Sequence, residues 1–141
     1  MKTITILLTA IFGLTFSLQA GEEHDHGHSH GDIVIPEALP ELRAEITAQQ
    51  KKLTDALGAR DASAAHAATD VLSVLVRAIP GKTQGLDEAT LQRVTGMANN
   101  AAKAWGHTAH EAEHGDYEKA GRESAKAEAS YRLLEARLPE S

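Results

Sequence analysis

Residues 87–138 read DEATLQRVTGMANNAAKAWGHTAHEAEHGDYEKAGRESAKAEASYRLLEARL, and two rows of helical period run through them. Leu91, Val94, Ala98, Ala101, Trp105, Thr108 and Ala112 recur at alternating spacings of three and four, so they share one face of a helix. Tyr117, Ala120, Ser124, Ala127, Tyr131, Leu134 and Leu138 repeat the rhythm up to a stop at Pro139. Gly115 separates the two rows. Asp87 and Asp116 stand where N-caps belong, and Leu86 and Leu91 occupy the positions of a hydrophobic staple. The stretch therefore predicts a helical hairpin with Trp105, Tyr117 and Tyr131 in its core.

The preceding residues repeat the plan. A helix over about 40–57, opened by Pro40, sets Leu42, Ile46, Gln49, Leu53 and Ala56 inside, with Gly58 as its end. Asp61 caps a second helix whose inner row reads Ala64, Ala68, Val71, Leu75 and Ala78, flanked by Ala65, Leu72 and Ile79, with Pro80-Gly81 as its stop. His66 lies opposite that row and reads as an exposed polar residue. No strand-like alternation occurs. The fold class is all-α: an antiparallel up-down-up-down four-helix bundle over residues 36–141. Its inner rows are rich in Ala, Ser and Thr, so the helices approach closely and each contact buries little area. A bound ion or assembly into a homodimer would supplement so thin a core.

Ahead of the bundle, residues 1–20 place Lys2, an apolar run from Ile4 to Leu18 and the small Ala20 in the order of a secretory signal peptide. That predicts export to the periplasm, with the mature chain starting at Gly21. There is no cysteine, which excludes disulfides and thiolate ligands. Without Lys2, 20 acids stand against 13 bases, a net charge of −7. This balance disfavours nucleic acid and anionic membrane surfaces as partners.

Residues 21–35 form an expected flexible arm containing EEHDHGHSHGD, with His24, His26, His28 and His30 at every second position. Neutral imidazole is a common metal ligand, and in an extended segment this alternation puts all four rings on one side, roughly 7 Å apart. Gly27 and Gly31 let the backbone fold around an ion. Glu22, Glu23, Asp25 and Asp32 add oxygen ligands. The pattern suits Cu, Zn or Ni without choosing among them. If the cut fell after Gly21, the amine of Glu22, two amides and His24 would make a square-planar Cu(II) or Ni(II) site.

A second histidine group ends the third helix in WGHTAHEAEHGD. His107, His110 and His114, three and four apart, lie on one solvent-facing stripe where Glu111 or Glu113 can add a carboxylate. The same letters match H-E-x-x-H, with Glu111 as general base, but Gly115-Asp116 ends the helix at once and no HxxGxxH completion follows. Glu111 and His114 also form an E-x-x-H pair with no counterpart in the first two helices, which argues against a di-iron centre. Nucleophile-base pairs, phosphate loops and covalent-haem motifs are absent. The chain reads as non-catalytic.

Residues 114–139, HGDYEKAGRESAKAEASYRLLEARLP, resemble the C-terminal hairpin of small periplasmic four-helix b-type cytochromes through Gly115, Ala120 and the Ala-rich continuation. Those cytochromes hold haem with a Met of the first helix and a His late in the last; neither is present, so the resemblance implies the scaffold alone. Residues 50–75, QKKLTDALGARDASAAHAATDVLSVL, are similar to helical modules found beside periplasmic heavy-metal efflux components. The arm resembles those of His-rich metal chaperones and uptake proteins, which implies collecting, buffering or sensing ions in company with a metal transporter or sensor. The competing expectation is a non-catalytic interaction module of the periplasm that carries the His tract as an accessory.

Overall fold

The computed structural model describes residues 32–139. The expected signal segment and His24, His26, His28 and His30 lie outside them. Four helices follow in order: α1 (Leu39–Ala59), α2 (Ala62–Lys82), α3 (Glu88–Glu113) and α4 (Tyr117–Glu135). There is no strand among the described residues. The fold is an all-α four-helix bundle, as the two periodic hairpins predict.

Sequential helices run antiparallel because their connections are short and because opposite ends meet. His66 near the start of α2 reaches Glu113 at the end of α3, and Arg43 near the start of α1 reaches Glu135 at the end of α4. The two hairpin turns share one device. At the end of α3, Gly115 takes φ +78°, its N–H bonds Ala112 O at 3.0 Å, and the N–H of Asp116 bonds Glu111 O at 3.0 Å. That is a Schellman closure. Asp116 then accepts from the N–H of Lys119 at 2.9 Å, so one residue closes α3 and caps α4.

The α1–α2 turn uses the same bonds at a different residue from the one expected. Gly58 stays helical; Arg60 takes the left-handed position at φ 55°, with its N–H on Leu57 O and that of Asp61 on Ala56 O. Asp61 accepts from the N–H of Ala64 at 2.9 Å. Tyr117 opposite donates its hydroxyl to Arg60 O at 2.8 Å and lies under the guanidinium, 6.0 Å from its ring centroid. These contacts hold Arg60 where glycine would rest without strain.

Two further boundaries move for physical reasons. Pro80 does not stop α2, which continues to Lys82. A proline's fixed φ is itself helical; in the last turn it forfeits one N–H, and the Thr83 hydroxyl closes the end by donating to Ile79 O at 2.8 Å. α4 stops at Glu135 rather than at Pro139, yet the following turn still buries Leu138.

The core follows the expected row in α1, where Leu42, Ile46, Gln49, Leu53 and Ala56 are all buried. In α2 the row is rotated: Ala65, Ala68, Thr69, Leu72, Leu75, Val76 and Ile79 face inward, while Ala64 is exposed and Val71 and Ala78 are half-buried. In α3 Leu91 leaves the row at the helix start and is exposed, and Ala102 and Ala109 join it. Trp105 is wholly buried, its ring centroid 6.1 Å from that of Tyr131. Burial, reinforced by the Glu135 carboxylate that accepts its hydroxyl, pushes the Tyr131 phenol well above the usual range.

α3 has the widest contacts, packing along α2 on one side and α4 on the other, whereas α1 and α4 touch only briefly. The α1–α4 seam carries Arg43 and Glu135 3.9 Å apart, with Tyr131 bonded to the same carboxylate at 2.8 Å. Residues 32–36 lie over α1 and α2, where Asp32, Ile33, Val34 and Pro36 line a hollow with Glu45, Gln49 and Val71. Glu37 then pairs with Lys82 at 2.9 Å. α2 is long and apolar enough by composition to cross a bilayer, but its apolar side is spent inside the bundle.

The rotation of α2 is testable by overpacking. Ala65→Leu should destabilise the fold by about 1–3 kcal/mol in chemical denaturation, whereas Ala64→Leu should be nearly neutral. The α3 cap predicts a pH effect. Hydrogen bonds from the backbone and hydroxyl of Thr90 hold the Asp87 carboxyl below its ordinary range, so its contribution is present at neutral pH and lost on acidification. Asp87→Ala should flatten the acid limb of a stability–pH curve.

Candidate functional site

The histidine stripe of α3 is built by helix period and nothing else. His107, His110 and His114 are all exposed, on the side away from Val94, Ala98, Ala101 and Trp105. The structure brings two of them together: the rings of His110 and His114 stand edge to face with centroids 4.5 Å apart. One turn separates them along the helix, so both can present a ring nitrogen to the same ion. His107 lies one turn earlier on the same stripe.

The carboxylates that the sequence offers to this stripe are turned aside. Glu111 leans toward α4, where its carboxylate meets Lys119 Nζ at 2.8 Å with only 15% of its side chain exposed. This hydrogen bond raises the Lys119 ammonium above its ordinary range. Glu113 leans the other way, onto His66 of α2. Among the described residues no three or more metal-ligating side chains converge on a point, so Glu111 does not complete a cluster with His107, His110 and His114. The H-E-x-x-H geometry is altered in the same way, since its glutamate is held by Lys119 rather than poised beside the two imidazoles.

His66 is the residue that sequence reasoning placed wrongly. It is half-buried at the α2–α3 seam, its Nε2 3.1 Å from Asp70 Oδ2 and its Nδ1 on Glu113 Oε1. The contact with Glu113 is a hydrogen bond, and Asp70 lies within ion-pair distance of the other ring nitrogen. Asp70, one turn away on α2, was a readable partner; Glu113 was not, being 47 positions distant. Beside this group Ser73 donates to Ala102 O at 3.2 Å, a second polar tie between α2 and α3.

On the α4 side, Glu123 is held below the ordinary carboxylate range first by its hydrogen bond from Lys126 and, more weakly, by the field of His107. The stripe is thus a lane of imidazoles with ion pairs on both edges. Its chemical capacity is that of nitrogen donors open to solvent on one side.

Comparison with protein-family models gives no match to this chain, and searches of the curated proteins and of solved structures give none either.

The His66–Glu113 contact makes a defined energetic prediction. A double-mutant cycle with His66→Ala and Glu113→Ala should give a coupling of about 0.2–1 kcal/mol at neutral pH, the range of a partly exposed ion pair. Added salt should shrink it.

Proposed function

We propose that this chain is an exported, non-catalytic protein that collects transition-metal ions and gives them up again, buffering, sensing or delivering Cu, Zn or Ni in the periplasm. The observation that carries the reading is the placement of histidine. Seven of the eight histidines fall into two groups: His24, His26, His28 and His30 in eleven residues of the arm, and His107, His110 and His114 on one exposed stripe.

The chemistry suits exchange better than storage. Structural zinc sites close four ligands around the ion, whereas a site with fewer protein ligands leaves positions free for a donor or acceptor. His110 and His114 offer two nitrogens with their outer side open, and His107 stands one turn earlier on the same stripe. The histidines of residues 24–30 add capture capacity, and a metal transporter or sensor is the fitting partner. Protons compete with metal for imidazole nitrogen, so uptake should fall on acidification.

The test is native mass spectrometry and titration with Cu(II), Ni(II) and Zn(II) on three forms: the exported chain, a version lacking residues 21–31, and that version with His110→Ala and His114→Ala. Deletion of the arm should lower the number of ions held, and the stripe should retain one. The double substitution should weaken that remaining site at least about tenfold, or 1.4 kcal/mol. Uptake no greater than that of a histidine-free control would overturn the proposal.

A further inference from the structure

A pocket of about 340 Å³ lies where the first half of α3 meets the end of α4, lined by Thr90, Arg93, Gly96, Met97, Asn100 and Arg137. It is on the far half of α3 from the histidine stripe. A shallower hollow of about 110 Å³ continues from it, sharing Met97 and Asn100 and adding Ser130 and Leu133.

The pocket has two arginines in its lining. The chain carries a net charge of −6, and seven described cations are held by an acid: Arg43 by Glu135, Lys51 by Asp55, Lys82 by Glu37, Lys119 by Glu111, Arg122 by Glu118, Lys126 by Glu123 and Arg132 by Glu128. Arg93 and Arg137 have no carboxylate within ion-pair distance among the described residues, and both line the one pocket. Two arginines in the lining of one hollow can serve an anion, and the planar fork of guanidinium matches a carboxylate in two parallel hydrogen bonds.

The rest of the lining calls for an apolar body behind the anion. Met97 is half-buried against the core, and Leu133 is 63% exposed, the most exposed large hydrophobic side chain of the four helices. Thr90 contributes little beyond shape, since its hydroxyl is donated to Asp87 at 2.8 Å. Gly96 keeps the wall low: a Cβ built there meets no atom within 4 Å. Mid-helix glycine costs about 1 kcal/mol against alanine, and no packing contact in the fold requires it at this position. The volume falls at the small-ligand end of known binding pockets, about 300–1,000 Å³.

We propose that the α3–α4 pocket is a binding site for a small monocarboxylate with an apolar tail, its carboxylate held between Arg93 and Arg137 and its tail lying along Met97 toward Leu133. The site is separate from the histidines and does not depend on metal.

Octanoate is the probe, with neutral octanamide and cationic octylamine as controls, titrated into the full chain in the presence of a chelator. Binding is read by calorimetry and by NMR shifts of the Gly96 and Asn100 amides. Octanoate should bind and move those amides, and the two controls should not. Arg93→Gln and Arg137→Gln should each weaken binding about tenfold, as expected for loss of a charged hydrogen bond. Gly96→Leu should fill the pocket and abolish binding, with helicity by circular dichroism unchanged or slightly raised. Equal binding of octanoate and octanamide, or octanoate affinity unaffected by Arg93→Gln and Arg137→Gln, would overturn the proposal. So would amides that ignore octanoate but shift with an acidic peptide, since the carboxylate would then belong to a protein partner.

Discussion

Close approach of small side chains along α3 is the constraint from which the rest of this structure follows. Ala98, Ala101, Ala102, Ala109 and Ala112 of α3, Ala65 and Ala68 of α2, and Ala120, Ser124 and Ala127 of α4 are all buried, and α3 packs along both α2 and α4. Seams of this kind gain from dense packing at short range but bury little apolar area per residue. They make α3 the axis of the bundle. α1 presents larger buried residues, Leu42, Ile46 and Leu53, and touches α4 only briefly, at a seam that carries Arg43, Glu135 and Tyr131. Trp105 is the one large ring in the α3 row. It is sealed so completely that its indole N–H is buried without a hydrogen-bond partner among the described residues, a cost its packing must exceed.

The alanine composition also explains what was legible in the sequence. α1 was readable because Leu42, Ile46 and Leu53 are large and the opposite face is charged, so only one orientation buries the apolar stripe. α2 was not, because Ala64 and Ala65, and Val71 and Leu72, offer nearly equivalent stripes; the packing partners on α1 and α3 decide between them. Caps on Asp61, Asp87 and Asp116 were legible because the chemistry is local. The left-handed residue before Asp61 was misread as Gly58, since Arg60 holds it by contacts to Tyr117, 57 positions away.

The site divides in the same way. That His107, His110 and His114 share an exposed face is a property of helix period, which local sequence contains. Where Glu111 and Glu113 go is decided across helices, by Lys119 and His66. Those partners sit close to the hairpin turn and on α2 respectively, and the sequence gives no hint of their geometry. The pocket formed by Arg93 and Arg137 was invisible for the same reason: its two cations come from different helices.

The diversion of the acids bears on which ions the stripe suits. Had Glu111 and Glu113 joined the imidazoles, the donor set would have mixed oxygen with nitrogen and put negative charge on the site, which hard cations such as Ca²⁺ and Mg²⁺ also accept. With Glu111 on Lys119 and Glu113 on His66, the stripe offers imidazole nitrogen and water alone. Neutral nitrogen donors favour the later first-row ions, with Cu(II) ahead of Ni(II) and Zn(II). If the stripe takes metal as proposed, the flanking ion pairs would act as selectivity elements, because they keep two carboxylates out of the lane of imidazoles.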